Sequence, residues 1–103
     1  MKIDFNTLLT DLTGKPFAPE KDASGKDVPV LLKTICVRAL TTPLAEDQSL
    51  TGEAAFKRLE VARKIYAGGE QDIDPADATL IRDRVAKLFS IEVSGLVYEL
   101  LRG

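Results

Sequence analysis

The chain has no histidine, a single cysteine, no apolar run of membrane-spanning length and no marked excess of either charge. Without histidine there is no Cys–His nucleophile, no Ser-His-Asp triad and none of the commonest zinc sites, and the usual general base is missing. One cysteine rules out an intramolecular disulfide and suits a reducing compartment. No apolar stretch approaches the roughly 20 residues that cross a bilayer. The opening Met-Lys-Ile-Asp-Phe-Asn turns polar too soon for a signal peptide. Fourteen basic and sixteen acidic residues give a formal charge of −2, which is the wrong balance for coating nucleic acid or an anionic membrane. A glycine-rich phosphate loop is also missing, because Gly68-Gly69 closes a helical stretch and no Lys-Ser/Thr follows.

What remains is ordinary globular material. The 103 residues fit one domain, and a charged fraction of 29% beside an apolar fraction of 45% excludes wholesale disorder. Cys36, set among Leu32, Ile35, Val37 and Leu40, reads as a small core residue.

Residues 1–27 differ from the rest of the chain. Ile3 and Phe5 alternate with Lys2, Asp4 and Asn6 at the period of a half-buried strand. Asp11 to Phe17 reads as a turn leading to a second extended segment, and Glu20 to Asp27 as a polar loop. This predicts a β-hairpin or extended arm followed by a loop, with Pro16 and Pro19 keeping it off a central strand.

Residues 28–103 predict a bundle of three to four helices, so the fold class is mostly α (α+β). The first helix is expected to start at Asp27 as N-cap, with Pro29 in its first turn and a stripe of Leu31, Leu32, Ile35, Cys36, Ala39 and Leu40. The run Val28, Val30, Ile35 and Val37 also suits a strand. Thr41, Thr42 and Pro43 close the element. A second helix, capped by Ser49 or Thr51, presents Ala55, Phe56, Leu59, Ala62, Ile65 and Tyr66 as its inner face and stops at Gly68-Gly69. A third opens with Asp74 as N-cap and Pro75 as first residue, and its inner face is Leu80, Ile81, Val85, Leu88 and Phe89. Ser90 either breaks the chain and caps a fourth helix, with a stripe of Val93, Leu96, Val97, Leu100 and Leu101, or marks a bend in one long helix. No internal repeat is evident.

Few constellations bear chemistry. The loop Gly68–Asp74 carries Glu70, Asp72 and Asp74 but is too short for an EF-hand and has its glycines at the wrong end. Asp72, Asp74 and Asp77 suit a helix start better than a catalytic cleft. Lys57, Arg58, Arg63 and Lys64, and then Arg82, Arg84 and Lys87, are interleaved with Glu53, Glu60 and Asp83 as on a mixed soluble surface. No catalytic residue, metal ligand or cofactor is therefore assigned, and no enzyme activity is expected.

The segments Ile-Cys-Val-Arg-Ala-Leu (35–40), Leu-Thr-Gly-Glu-Ala-Ala-Phe-Lys-Arg-Leu-Glu-Val-Ala-Arg-Lys-Ile-Tyr (50–66), Ala-Thr-Leu-Ile-Arg-Asp-Arg-Val-Ala-Lys-Leu-Phe (78–89) and Val-Tyr-Glu-Leu-Leu (97–101) resemble a group of small phage and prophage proteins. Those proteins open with a short Met-Lys-(Ile/Val)-Asp-Phe segment and a turn around Asp-Gly-Lys-Pro. The chain departs from them at Leu88–Ser94, where a Tyr and a Pro are expected. The resemblance implies a phage accessory or virion-associated protein, located in the host cytoplasm or the virion, and carries no functional residue with it.

The expected function is binding to another protein: a host factor, an assembly partner or a second copy. A DNA- or RNA-associated regulator using the second and third helices as a helix-turn-helix-like pair is the alternative, although Ala67 to Asp74 is longer than the usual turn. The four stripes use nearly all large aliphatic residues after position 30. Ile3, Phe5, Leu8, Leu9, Leu12 and Phe17 are left over; some of them must cover one end of the helical core, and residues 1–17 with the face of the last helix near Val97 and Leu101 form the expected interaction surface.

Overall fold

A computed structural model describes residues 2–101. Its elements run β1 (Lys2–Asp4), β2 (Glu20–Lys21), β3 (Asp27–Val28), α1 (Leu32–Thr41), a 3-10 turn (Ala45–Ser49), α2 (Gly52–Tyr66), β4 (Glu70–Asp72), α3 (Pro75–Leu88) and α4 (Ile91–Leu101). This is the mostly helical α+β bundle expected.

The N-terminal strand pairs across the molecule. β1 runs antiparallel to β4, with Ile3 opposite Gln71, and Phe5 N–H donates to the Gly69 carbonyl at 3.0 Å. The chain then bends back, and Leu9 N–H donates to the Val30 carbonyl. Ile3, Phe5 and Leu9 thereby enter the same core as Leu32, Ile35, Cys36, Ala39, Leu40, Ala62, Ile65, Ile81, Val85, Val97 and Leu101. Gly68 makes the turn before β4 at φ +77°, and a Cβ there would collide with the Asn6 side chain.

The start of α1 differs from the expectation. Asp27 and Val28 are not helical; they form β3, paired with β2. The helix begins at Leu32, and Leu31 supplies no side-chain cap. Instead Leu32 N–H donates to the Thr7 carbonyl at 2.8 Å and Lys33 N–H to the Phe5 carbonyl at 2.9 Å. The arm's backbone thus satisfies donors that every helix start leaves open. It also holds residues 28–31, with their β-branched Val28 and Val30, extended.

Residues 10–28 form two short hairpins with the same turn. Asp11-Leu-Thr-Gly-Lys15 and Asp22-Ala-Ser-Gly-Lys26 are a five-residue repeat, where no internal repeat was expected. In each, the Asp carboxylate accepts from the Thr or Ser N–H and hydroxyl and from the Lys N–H. In each, the glycine sits at φ +82°, as a three-residue hairpin loop with a bulge requires. These bonds hold the Asp11 and Asp22 carboxyls below the usual carboxylate range. The second hairpin is tied to α1 by a bidentate Arg38–Glu20 pair at 2.8 and 2.6 Å.

Of the expected caps, Thr51 accepts from the Ala54 N–H. Asp74 occupies the N-cap position of α3 with Pro75 at N1, but its side chain makes no cap bond. Ser90 does cap, its hydroxyl accepting from Val93 N–H, so two helices stand where one bent helix was the alternative.

Arg84, expected on the solvent face, is 1% exposed. Its Nε donates to the Ala39 carbonyl at 2.5 Å and Nη2 to the Thr42 carbonyl at 2.6 Å, while Nη1 and Nη2 both bind Asp47. Asp47 also accepts from Arg58 on α2 and from Leu44 N–H. One guanidinium therefore closes the C-terminal end of α1, the 3-10 turn and, through Asp47, α2 onto α3. Arg84→Met keeps the apolar stem and deletes the donors. It should cost roughly 3 kcal/mol, the order found for breaking a buried pair, and lower Tm by on the order of 15 °C in a thermal CD melt. A loss below about 1 kcal/mol would show that the network is not structural. The bonds from Arg84, Arg58 and Leu44 hold the Asp47 carboxyl well below its ordinary range. Its contribution is complete above the unfolded-state pKa of about 4 and is lost as pH falls toward the folded value. Asp47→Asn should therefore flatten the stability profile between about pH 4 and pH 2.

Candidate interaction surface

No group of three or more acidic or cysteine side chains converges among the described residues. Cys36 is fully buried, and desolvation pushes its thiol up to about 12. No helix among the described residues is long and apolar enough to cross a membrane.

The basic clusters are largely committed within the chain. Arg58 and Arg84 bind Asp47, Lys87 binds Glu46, Lys64 rests on the Asp72 carbonyl, and the Arg82 guanidinium lies 4.9 Å from the Tyr98 ring centre. The segment between α2 and α3 is not a free turn either, because β4 within it is paired to β1. That leaves α2 and α3 without the short connection a helix-turn-helix pair requires.

The eight residues expected at the interaction surface divide sharply. Ile3, Phe5, Leu9, Val97 and Leu101 are buried in the core, and Phe17 is half-buried against it. These six are packing residues, so the covering of one end of the bundle, expected of some of the arm, takes in most of its apolar side chains. Leu8 and Leu12 face solvent, Leu12 at 91% exposure.

Leu12 has a neighbour that the stripe of α4 left out. Ile91, the first residue of α4, is 93% exposed. A groove of about 320 Å³ joins Leu12, Ile91, Gly95 and Leu96, with Glu92 and Glu99 at its edge. Leu12 N–H donates to Glu92 Oε1 at 2.7 Å, which holds the hairpin tip against the helix. Neither apolar side chain serves the fold. The equivalent tip position of the second hairpin is Ala23, and a helix start asks nothing apolar of its first residue.

A second apolar face lies on α2. The expected inner face was too wide: Ala62 and Ile65 are buried and Val61 packs on the core, but Phe56, Leu59 and Tyr66 are 56%, 41% and 70% exposed. Grooves of about 360 and 450 Å³ flank them, the first running from Leu59 to Leu50 and Pro43, the second from Tyr66 to Val28 and Val37.

Ile91 was legible as an apolar residue off its helix's stripe, and Phe56, Leu59 and Tyr66 as an arc broader than one buried face. No protein family, curated protein or solved structure matches the chain.

Burial predicts that Cys36 is inert in the native protein. At about pH 8 a thiol reagent should label it about three orders of magnitude more slowly than in denaturant, since only thiolate reacts. Fast native labelling would place Cys36 outside the core.

Proposed function

We propose that the protein is a non-enzymatic binding protein that grips another protein at the Leu12–Ile91 groove. The observation that carries this is the pairing of the two most exposed large apolar side chains across one preorganised groove, where neither contributes to folding. Exposed apolar area of this kind is retained on soluble domains mainly for partners. The rim of Glu92 and Glu99 selects a partner that presents an apolar side chain beside lysine or arginine. In the phage setting that the sequence resembles, such a partner is a host factor or a component of virion assembly, met in the host cytoplasm or in the particle.

Since Leu12 and Ile91 make no core contact, the Leu12→Asp/Ile91→Asp double variant should fold with stability within about 1 kcal/mol of wild type. Immobilised wild-type protein in an extract of the producing cell should retain a protein that this double variant does not. Ala23→Asp, at the equivalent tip of the other hairpin, should retain it. Equal retention by the double variant, or no retention by the wild type, contradicts the reading.

A further inference from the structure

The exposed stripe of α2 carries a pattern with its own symmetry. A period of 3.6 residues places Gly52, Ala55, Phe56, Leu59, Arg63 and Tyr66 along one line, all exposed. Beside them, on the flank away from α1, run Glu53, Lys57, Glu60 and Lys64. Charge therefore alternates along the flank in the order acid, base, acid, base. Glu53, Lys57 and Glu60 form no salt bridge within the chain among the described residues.

We propose that α2 is a homodimerisation helix, pairing antiparallel with α2 of a second copy about a two-fold axis at Leu59. An isologous interface must be complementary to itself, and this stripe is. With Leu59 on the axis, the two Leu59 side chains meet. The large Tyr66 faces the small Gly52 of the other copy, Ala55 faces Arg63, and Phe56 faces the Ala62 side of the opposite helix. A two-fold axis of this kind brings the same flank of both helices to the same side of the interface. Glu60 then stands opposite the other copy's Lys57, and Glu53 opposite its Lys64, each pair occurring twice. Lys64 reaches its new partner from its place over the Asp72 carbonyl. Antiparallel alignment also opposes the two helix dipoles favourably.

Two grooves between the stripe and α1, both reaching Thr41, extend the contact beyond one helix pair, toward Leu50 at one end and toward Val28 and Val37 at the other. A single helix of 15 residues is about 22 Å long, which puts the interface at the small end of specific contacts. The association is accordingly reversible. The stripe lies on elements separate from the Leu12–Ile91 groove, so this inference and the preceding one stand or fall independently.

Sedimentation velocity on the full chain, from about 1 µM to about 500 µM at physiological salt, reads the proposal directly. The expected result is a mass rising with concentration from that of an 11.2 kDa monomer to that of a dimer. Leu59→Asp, which sets two carboxylates on the axis, should remain monomeric throughout while keeping its helical CD spectrum. Glu60→Lys, which opposes Lys57 of the other copy twice, should weaken the dimer by a factor of about ten. Lys57→Glu alone should do the same. Lys57→Glu combined with Glu60→Lys should restore wild-type association, because the exchanged charges again face their opposites. A strict monomer at every concentration overturns the proposal. So does a dimer that survives Leu59→Asp, or a double exchange no better than either single change.

Discussion

Two carbonyl oxygens at the beginning of the chain, those of Phe5 and Thr7, receive the first N–H groups of α1. The rest of the architecture depends on this contact. A helix start needs partners for its open donors, and this helix has no capping side chain of its own. Once the arm supplies the partners, residues 28–31 must run extended beside it. The side chains that alternate along the arm, Ile3, Phe5 and Leu9, then point into the bundle. Burying three such groups is worth roughly 5–9 kcal/mol in all, comparable to the whole net stability of a small domain. The arm is thus a load shared with the helices, and its buried residues Ile3, Phe5 and Leu9 are unavailable to a partner.

The opposite end of α1 is held by different chemistry. There the orphan carbonyls are met by Arg84, a cation from another helix whose charge is balanced by Asp47. α1 is therefore secured at its N-terminus by backbone from the arm and at its C-terminus by a buried guanidinium. With α1 fixed, α2 and α3 both pack on it. This division explains why so many basic side chains of an apparently mixed surface are spoken for. α2 buries Ala62 and Ile65 in the core and keeps a second apolar line, Phe56, Leu59 and Tyr66, outside.

How much of this could be read from residues alone follows from the range of the interactions. The helical period, the Gly68-Gly69 stop and Pro75 at a first turn are local signals, and each lies where it was expected, while Ser90 was legible only as either a break or a bend. The start of α1 was missed because its caps come from residues 25 or more positions away, and no local pattern reports a backbone carbonyl. Arg84 was missed for a related reason, since its partners on α1 and in the 3-10 turn are remote in sequence. The arm was misjudged by counting. Its apolar residues looked surplus because the inner face of α2 was expected to be buried, whereas Phe56, Leu59 and Tyr66 are left outside, as is Ile91, which belonged to no stripe. The surplus was real, and it sat on other elements. The paired turns at Asp11 and Asp22 are a five-residue repeat too short to stand out before their shared Asp-to-backbone bonds are seen, and their comparison isolates Leu12 as a side chain the turn does not need.

The proposed binding falls to residues that folding does not use, whereas Ile3, Phe5 and Leu9 belong to folding. Removing residues 1–9 and following the truncated chain by far-UV CD and thermal melting tests that division most directly. The expected result is loss of the cooperative transition, because α1 loses its cap and the core loses Ile3, Phe5 and Leu9. A truncated chain that remains helical and melts cooperatively near the temperature of the full-length protein would contradict it.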